Sequence, residues 1–127
     1  MRLRQMLKTK LDGLMITKTI FDYKGSIGID RALLEKNDIV AGEKVQVLNY
    51  DNGFRFETYV IAEPRHSRKI ALYGPAAHCG SVGDKLCVLS YVLVDDADLK
   101  KHKPRVIKVN KPSPKNLYPL KPILILL

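Results

Sequence analysis

The chemistry of this chain concentrates at Gly25-Ser26, inside the stretch FDYKGSIGID that runs from Phe21 to Asp30. A serine hydroxyl can attack the carbonyl of the residue before it. An ester forms, the amide C–N bond breaks, and the freed nitrogen takes up the hydroxyl proton. Glycine before the serine tolerates the twisted backbone that such an attack requires. Elimination across the serine Cα–Cβ bond then expels the Gly25 carboxylate and leaves a dehydroalanine. Its hydrolysis yields ammonia and a pyruvoyl group. The chain would end in two pieces, with residue 26 as a ketone-bearing N-terminal cap. A ketone beside an amide carbonyl condenses with amines and withdraws electrons, much as pyridoxal phosphate does. An amino acid held that way can lose its carboxylate, provided that a nearby acid protonates the carbon left behind. Alone, a Gly-Ser pair more often marks a turn.

Three further motifs accompany the pair. Lys10-Leu11 precedes Y-x-G-S at Tyr23 to Ser26. N-G-x-R-F-x-T-Y follows at Asn52 to Tyr59, and G-x-A-A-H-C-x-S-V-G-D at Gly74 to Asp84. In this order and spacing they closely resemble the pyruvoyl-dependent aspartate 1-decarboxylases, over roughly residues 1 to 105. The resemblance implies a mainly β fold, a double-psi β-barrel with short helices. It implies a cytoplasmic homotetramer whose active sites lie between subunits, and conversion of L-aspartate to β-alanine for pantothenate biosynthesis. By the same resemblance Ser26 becomes the pyruvoyl cofactor and Tyr59 donates the proton. Thr58 aids cleavage and contacts substrate. Arg55 and Lys10 are associated with the substrate carboxylates, and Gly74, Pro75 and Ala76 line the substrate. Tyr23 and Gly25 belong to the processing motif, which a maturation helper could assist.

Elementary chemistry agrees with these roles. Aspartate carries two carboxylates, so a cationic pocket is expected, and arginine can hold one carboxylate through two hydrogen bonds. In ideal strand alternation Arg55 and Tyr59 share a face while Thr58 points away, so the strand must twist or bulge if all three serve one site. The chain also departs from the family pattern. Tyr73-Gly74-Pro75-Ala76-Ala77 stands where Asn-Gly-Ala-Ala-Ala is usual, and Lys24 replaces an acidic residue. Pro75 offers no N–H to a carboxylate. These departures motivate two alternatives: an uncleaved, non-catalytic paralogue that acts as a binding subunit, and a decarboxylase of another amino acid. Plainer readings stand beside each residue. Tyr23 can simply pack, Lys10 can be solvated, and Arg55 can pair with Glu57 at the surface. Gly74 to Ala77 can be small-residue packing, His78 structural and Cys79 a small buried hydrophobe. His66 and His102 suggest no metal site.

Short β-branched and aromatic runs must position these groups. They are GLMITKTI (13–20), KVQVLN (44–49), FRFETYVIA (54–62), RKIALY (68–73), KLCVLSYVLV (85–94) and, more weakly, PRVIKVN (104–110). YDNG (50–53) predicts a hairpin turn, and Asp30 the cap of a short helix, RALLEKN. Leu3, Leu7, Leu11 and Leu14 fall at helical spacing. One domain over 1–110 is expected, followed by a Pro-rich basic tail over 111–127. Prolines at the tail's density argue against strand pairing. The closing ILILL is free to dock on the barrel or on a neighbouring subunit.

Composition narrows the partners. Hydrophobic residues make up 46%, and no apolar run approaches the roughly 20 residues needed to span a bilayer. Two cysteines without a partner pair suggest reduced thiols. The net charge is +9, yet all 13 acidic residues lie at or before Asp98 and eight of the 22 basic ones lie after it. The first 99 residues therefore carry 22 minus eight, or 14, basic groups against 13 acidic ones. A near-neutral body argues against nucleic acid as the main partner, leaving the tail as the only electrostatic footprint.

Overall fold

The computed structural model describes residues 1–109 and the backbone of 120–124. Within them the chain forms strands β1 (Leu3–Met15), β2 (Lys18–Ile20), β3 (Ser26–Asp30), β4 (Lys44–Asn49), β5 (Arg55–Glu63), β6 (Ile70–Tyr73), β7 (Lys85–Asp95), β8 (Arg105–Val109) and β9 (Leu120–Leu124). A helix α1 (Arg31–Lys36) and two 3-10 segments, Gly74–Cys79 and Asp96–Asp98, complete the set. The strands form one mixed sheet in the order β2-β6-β3-β5-β4-β7-β1-β8-β9. Parallel pairing joins β1 to β8, β2 to β6 and β3 to β5, and the other neighbours are antiparallel. A mainly β fold is thus what forms, and its single core fits a barrel.

That core takes Leu11 and Leu14 from β1, and from the other strands Ile27 and Ile29, Val45 and Val47, Val60, Ile70 and Leu72, Leu86 and Val88, and Ile107. Each such side chain, removed from water, contributes about 1.5–3 kcal/mol. The run 13–20 splits: β1 ends at Met15, and Ile16 is buried between it and β2. At the hairpin, Gly53 alone takes the positive φ, +77°, while its N–H donates to the Asn49 carbonyl at 2.9 Å.

Two expectations need correction. The N-terminal leucines form a strand, not a helix. Register shifts after Leu7 and after Asp12 interrupt the alternation along β7. The second leaves Gly13, at φ +88°, without a partner across the ladder. A bulge of this kind turns Leu11 and Leu14, three apart, to the same buried side. The tail does pair as well: β9 runs antiparallel to β8, with Pro122 opposite Ile107. It occupies the sheet's edge, where a residue without an N–H is tolerated. The final residues, 125–127, lie outside the described residues.

Asp30 does more than cap α1. Its fully buried carboxylate accepts from Ala32 N at 2.8 Å, and from His66 N and Arg68 N at 2.9 Å each. His66 and Arg68 hold positive φ, 67° and 64°, and the carboxylate anchors them there. Asp30→Ala should lower stability by about 3 kcal/mol, through loss of the cap and stranding of two loop N–H groups. Urea unfolding of the wild-type and Asp30→Ala chains would read this.

Candidate active site

Ser26 opens β3, fully buried, and its Oγ has no hydrogen-bond partner. An unmade bond at a buried hydroxyl costs about 1–3 kcal/mol and calls for an explanation. Ser90, in β7, shares the condition, so the orphaned hydroxyl acquires meaning only from what surrounds it. Just before Ser26, Gly25 borders a cleft of about 410 Å³ lined by Phe56, Glu57, Thr58, Tyr59, Pro75, Ala76 and Cys79.

The path of β5 explains how Thr58 and Tyr59 both reach this cleft. From Arg55 to Tyr59 the strand pairs with β4, and from Val60 to Glu63 it pairs with β3. Ile27 lies opposite Val60, so Ser26 comes level with Tyr59 at the point where β5 changes partners. The strand's open edge there faces the Gly25 turn. Burial alternates from Arg55 to Tyr59, yet Phe56, Glu57, Thr58 and Tyr59 all border the cleft, so the strand's edge rather than one of its faces forms this wall.

The opposite wall is the 3-10 segment Gly74–Cys79. Gly74 takes φ +63°, and a Cβ there would overlap the Tyr23 carbonyl oxygen and crowd Gly25 N and Lys24 C at 2.8 and 2.9 Å. Pro75 packs on Gly25, its Cδ 3.2 Å from where a Gly25 Cβ would sit. Asn49 and Asn52 Nδ2 both donate to the Cys79 carbonyl, at 3.1 and 3.0 Å, and so tie the β4–β5 hairpin to the end of this wall. Asn49 also donates to Asp84 Oδ2 at 2.9 Å, which with the Ser81 N–H holds the Asp84 carboxyl below its usual range.

Tyr73 stands opposite Ser26 in the β3–β6 ladder. Its hydroxyl donates to Glu63 Oε2 at 2.6 Å, and its ring centroid lies 4.9 Å from that of Tyr23. Burial, then the hydrogen bond to Glu63 and its charge, push the Tyr73 phenol up to about 12. Its proton therefore stays in place near neutral pH. His78 is exposed and tilts against Phe21, with ring centroids 4.8 Å apart. Cys79, expected to be buried, is only partly so and faces the cleft. Burial nonetheless raises its thiol pKa, which keeps it a neutral, weak nucleophile.

Lys10 and Arg55 do not line this cleft. Arg55 is exposed and makes no ion pair among the described residues, and Glu57 pairs with Lys44 at 3.4 Å instead. Both cations lie around Cys87. Burial and the Asp12 charge push that thiol up to about 11, while Lys10 and Arg55 pull it the other way. Tyr50 closes the group by donating to Asp12 Oδ1 at 2.6 Å. One chain therefore presents two patches, a serine cleft and a cationic face. Among the described residues no cluster of three or more His, Cys, Asp or Glu side chains could hold a metal, and no helix is long and apolar enough to cross a membrane.

Sequence reasoning brought Tyr23, Gly25, Ser26, Thr58, Tyr59, Gly74, Pro75 and Ala76 to one locality, where they are found. It missed Glu63 and Asn49. The signals for Glu63 were the bare Gly28 and the aromatic at position 73.

Comparison with known proteins agrees with this geometry. A family model for aspartate decarboxylase matches residues 1–115. The chain is 46% identical to the aspartate 1-decarboxylase of Thermoanaerobacter pseudethanolicus over 112 residues, covering 86% of this chain and 96% of that one. It is 43% identical to the aspartate 1-decarboxylase of Clostridium novyi over 106 residues, 84% of this chain and 86% of the other. Identity to that of Halalkalibacterium halodurans is 44% over 108 residues, 85% of each. With Gly25, Tyr59 and the small-residue wall around one cleft, and these matches spanning most of its length, the chain belongs to the aspartate decarboxylase family.

Proposed function

We propose that the chain severs itself between Gly25 and Ser26 and then decarboxylates L-aspartate to β-alanine, in the cytoplasm and for pantothenate synthesis. The observation that carries this reading is a buried, unpartnered Ser26 hydroxyl directly after Gly25, which borders a cleft together with Thr58 and Tyr59. A pyruvoyl group derived from Ser26 fits there, since residue 26 has no side-chain bond to lose and its neighbour already borders the cleft. Once formed, that group would supply an electrophilic ketone able to take up an amine and to withdraw the electrons that decarboxylation leaves behind.

The chain's own residues do the rest. Tyr59 faces the cleft and returns a proton to the former α-carbon. Thr58, which borders the cleft beside Gly25, hydrogen-bonds the oxygen that gains charge during scission. Gly74, Pro75 and Ala76 bound the substrate. The separation of Lys10 and Arg55 from this cleft supports a site completed across a subunit boundary. In a homotetramer the cationic face of one copy would meet the serine cleft of the next and bind the side-chain carboxylate of aspartate.

Intact mass of the purified protein tests the reading. Scission predicts a fragment of residues 1–25 of about 2.8 kDa, from 25/127 of 14.4 kDa, and a larger piece that begins with a carbonyl group. Borohydride added with aspartate should label the larger piece. A single uncut chain, even after incubation with candidate helpers, would favour a binding subunit. A cut protein that ignores aspartate would point to another amino acid, with Tyr73 and Pro75 as the cause.

A further inference from the structure

We infer that Glu63 is a positioning residue for scission of the Gly25–Ser26 bond, acting through the Tyr73 side chain; this rests on the self-cleavage proposed above. Tyr73 touches both flanks of that bond. Its backbone pairs with Ser26, on the downstream side. Its ring packs on Tyr23, two residues upstream of Gly25, and spreads over Gly28, two residues beyond Ser26 on the same face. What holds the ring is the hydrogen bond from its hydroxyl to Glu63 Oε2.

Glu63 is otherwise hard to explain. It ends β5 at 8% exposure, and among the described residues it has no ion pair and no other side-chain hydrogen bond. Burying a carboxylate is costly unless it is paired, and an apolar residue would fill the same space without that cost. The fold has made room for it all the same. A Cβ on Gly28 would overlap the Glu63 carboxylate and lie 2.9 Å from Tyr73 Cε2. Gly28, Glu63 and Tyr73 therefore form one unit, in which a bare backbone accommodates an acid and the acid anchors a phenol. Here the phenol's hydroxyl is committed to Glu63 and its ring becomes the brace of the scissile segment.

Chains made by cell-free synthesis, followed by intact mass against time, give the rate of scission directly. Glu63→Ala should slow it about tenfold or more, since small misplacements of reacting groups carry rate penalties of that order. Glu63→Gln should recover most of the rate, because its amide oxygen still accepts from the phenol. Tyr73→Phe should match Glu63→Ala, and the double variant should be no slower than either, as for residues on one path. Should Glu63→Ala fail to fold, Tyr73→Phe carries the test, since it removes one hydroxyl and keeps the ring. Thermal midpoints taken alongside separate misfolding from misplacement. Tyr73→Phe cutting at the wild-type rate, or Glu63→Gln as slow as Glu63→Ala, overturns the inference while leaving self-cleavage standing. A wild-type chain that is never cut overturns both.

Discussion

Replacing Ser26 by alanine is expected to leave the whole 14.4 kDa chain in one piece and to abolish CO2 release from aspartate. Without Oγ no ester can form at Gly25, and without the ester there is no route to a ketone at residue 26. Removal of a covalent nucleophile costs on the order of 10⁶-fold in turnover. The structure makes the variant unusually clean. Ser26 is fully buried and its hydroxyl bonds to nothing, so alanine fits the site and relieves an unsatisfied polar group. Stability should hold or rise by about 1 kcal/mol. A well-folded, uncut, inactive protein is the expected outcome, read by intact mass, thermal unfolding and β-alanine assay together. An alanine variant still cut after residue 25 would sink the chemistry proposed for this site.

Gly74→Ala should slow scission on the order of a hundredfold without touching the reacting serine. The added methyl would overlap the Tyr23 carbonyl oxygen and press on Gly25 N. Either Gly74 or the turn at 21–25 must move, and about 1 Å of misplacement can cost on the order of 10²-fold. The φ of +63° adds about 1 kcal/mol of backbone strain. Gly42→Ala separates the two effects, because Gly42 has φ +90° with nothing within 4 Å of its would-be Cβ. That control should lose stability and keep its cleavage rate. Equal cleavage half-times for both variants would mean that contact with the 23–25 turn does not matter.

The strands were legible wherever one face of the sheet is buried and alternation survives. KVQVLN at 44–49 became β4 without the loss of a residue, its two inward valines fully in the core. The N-terminus was misleading because bulges insert residues into a period of two, and two insertions in β1 mimic the spacing of a helix. The prolines of the tail were read as forbidding a strand, when they forbid only a central one. At the site, residue types announced the chemistry, but the partner change of β5 that leaves its edge at Phe56 to Tyr59 bordering the cleft is a property of three strands together. Glu63 escaped notice because a single acid at a strand end reads as solvated. Its burial depends on the missing side chain of Gly28, 35 positions away.

The long pairing of β1 with β7 and β8 has one more consequence. A cut after Gly25 would place β1 and β2 on a separate peptide, still gripped by strands of the larger one. Folding would then have to precede the cut. Once melted, the mature protein would have to find its own first strand again by diffusion, and recovery would become bimolecular and dependent on dilution. Self-cleavage at this position would convert a fold that one chain regains alone into one that must be reassembled from two.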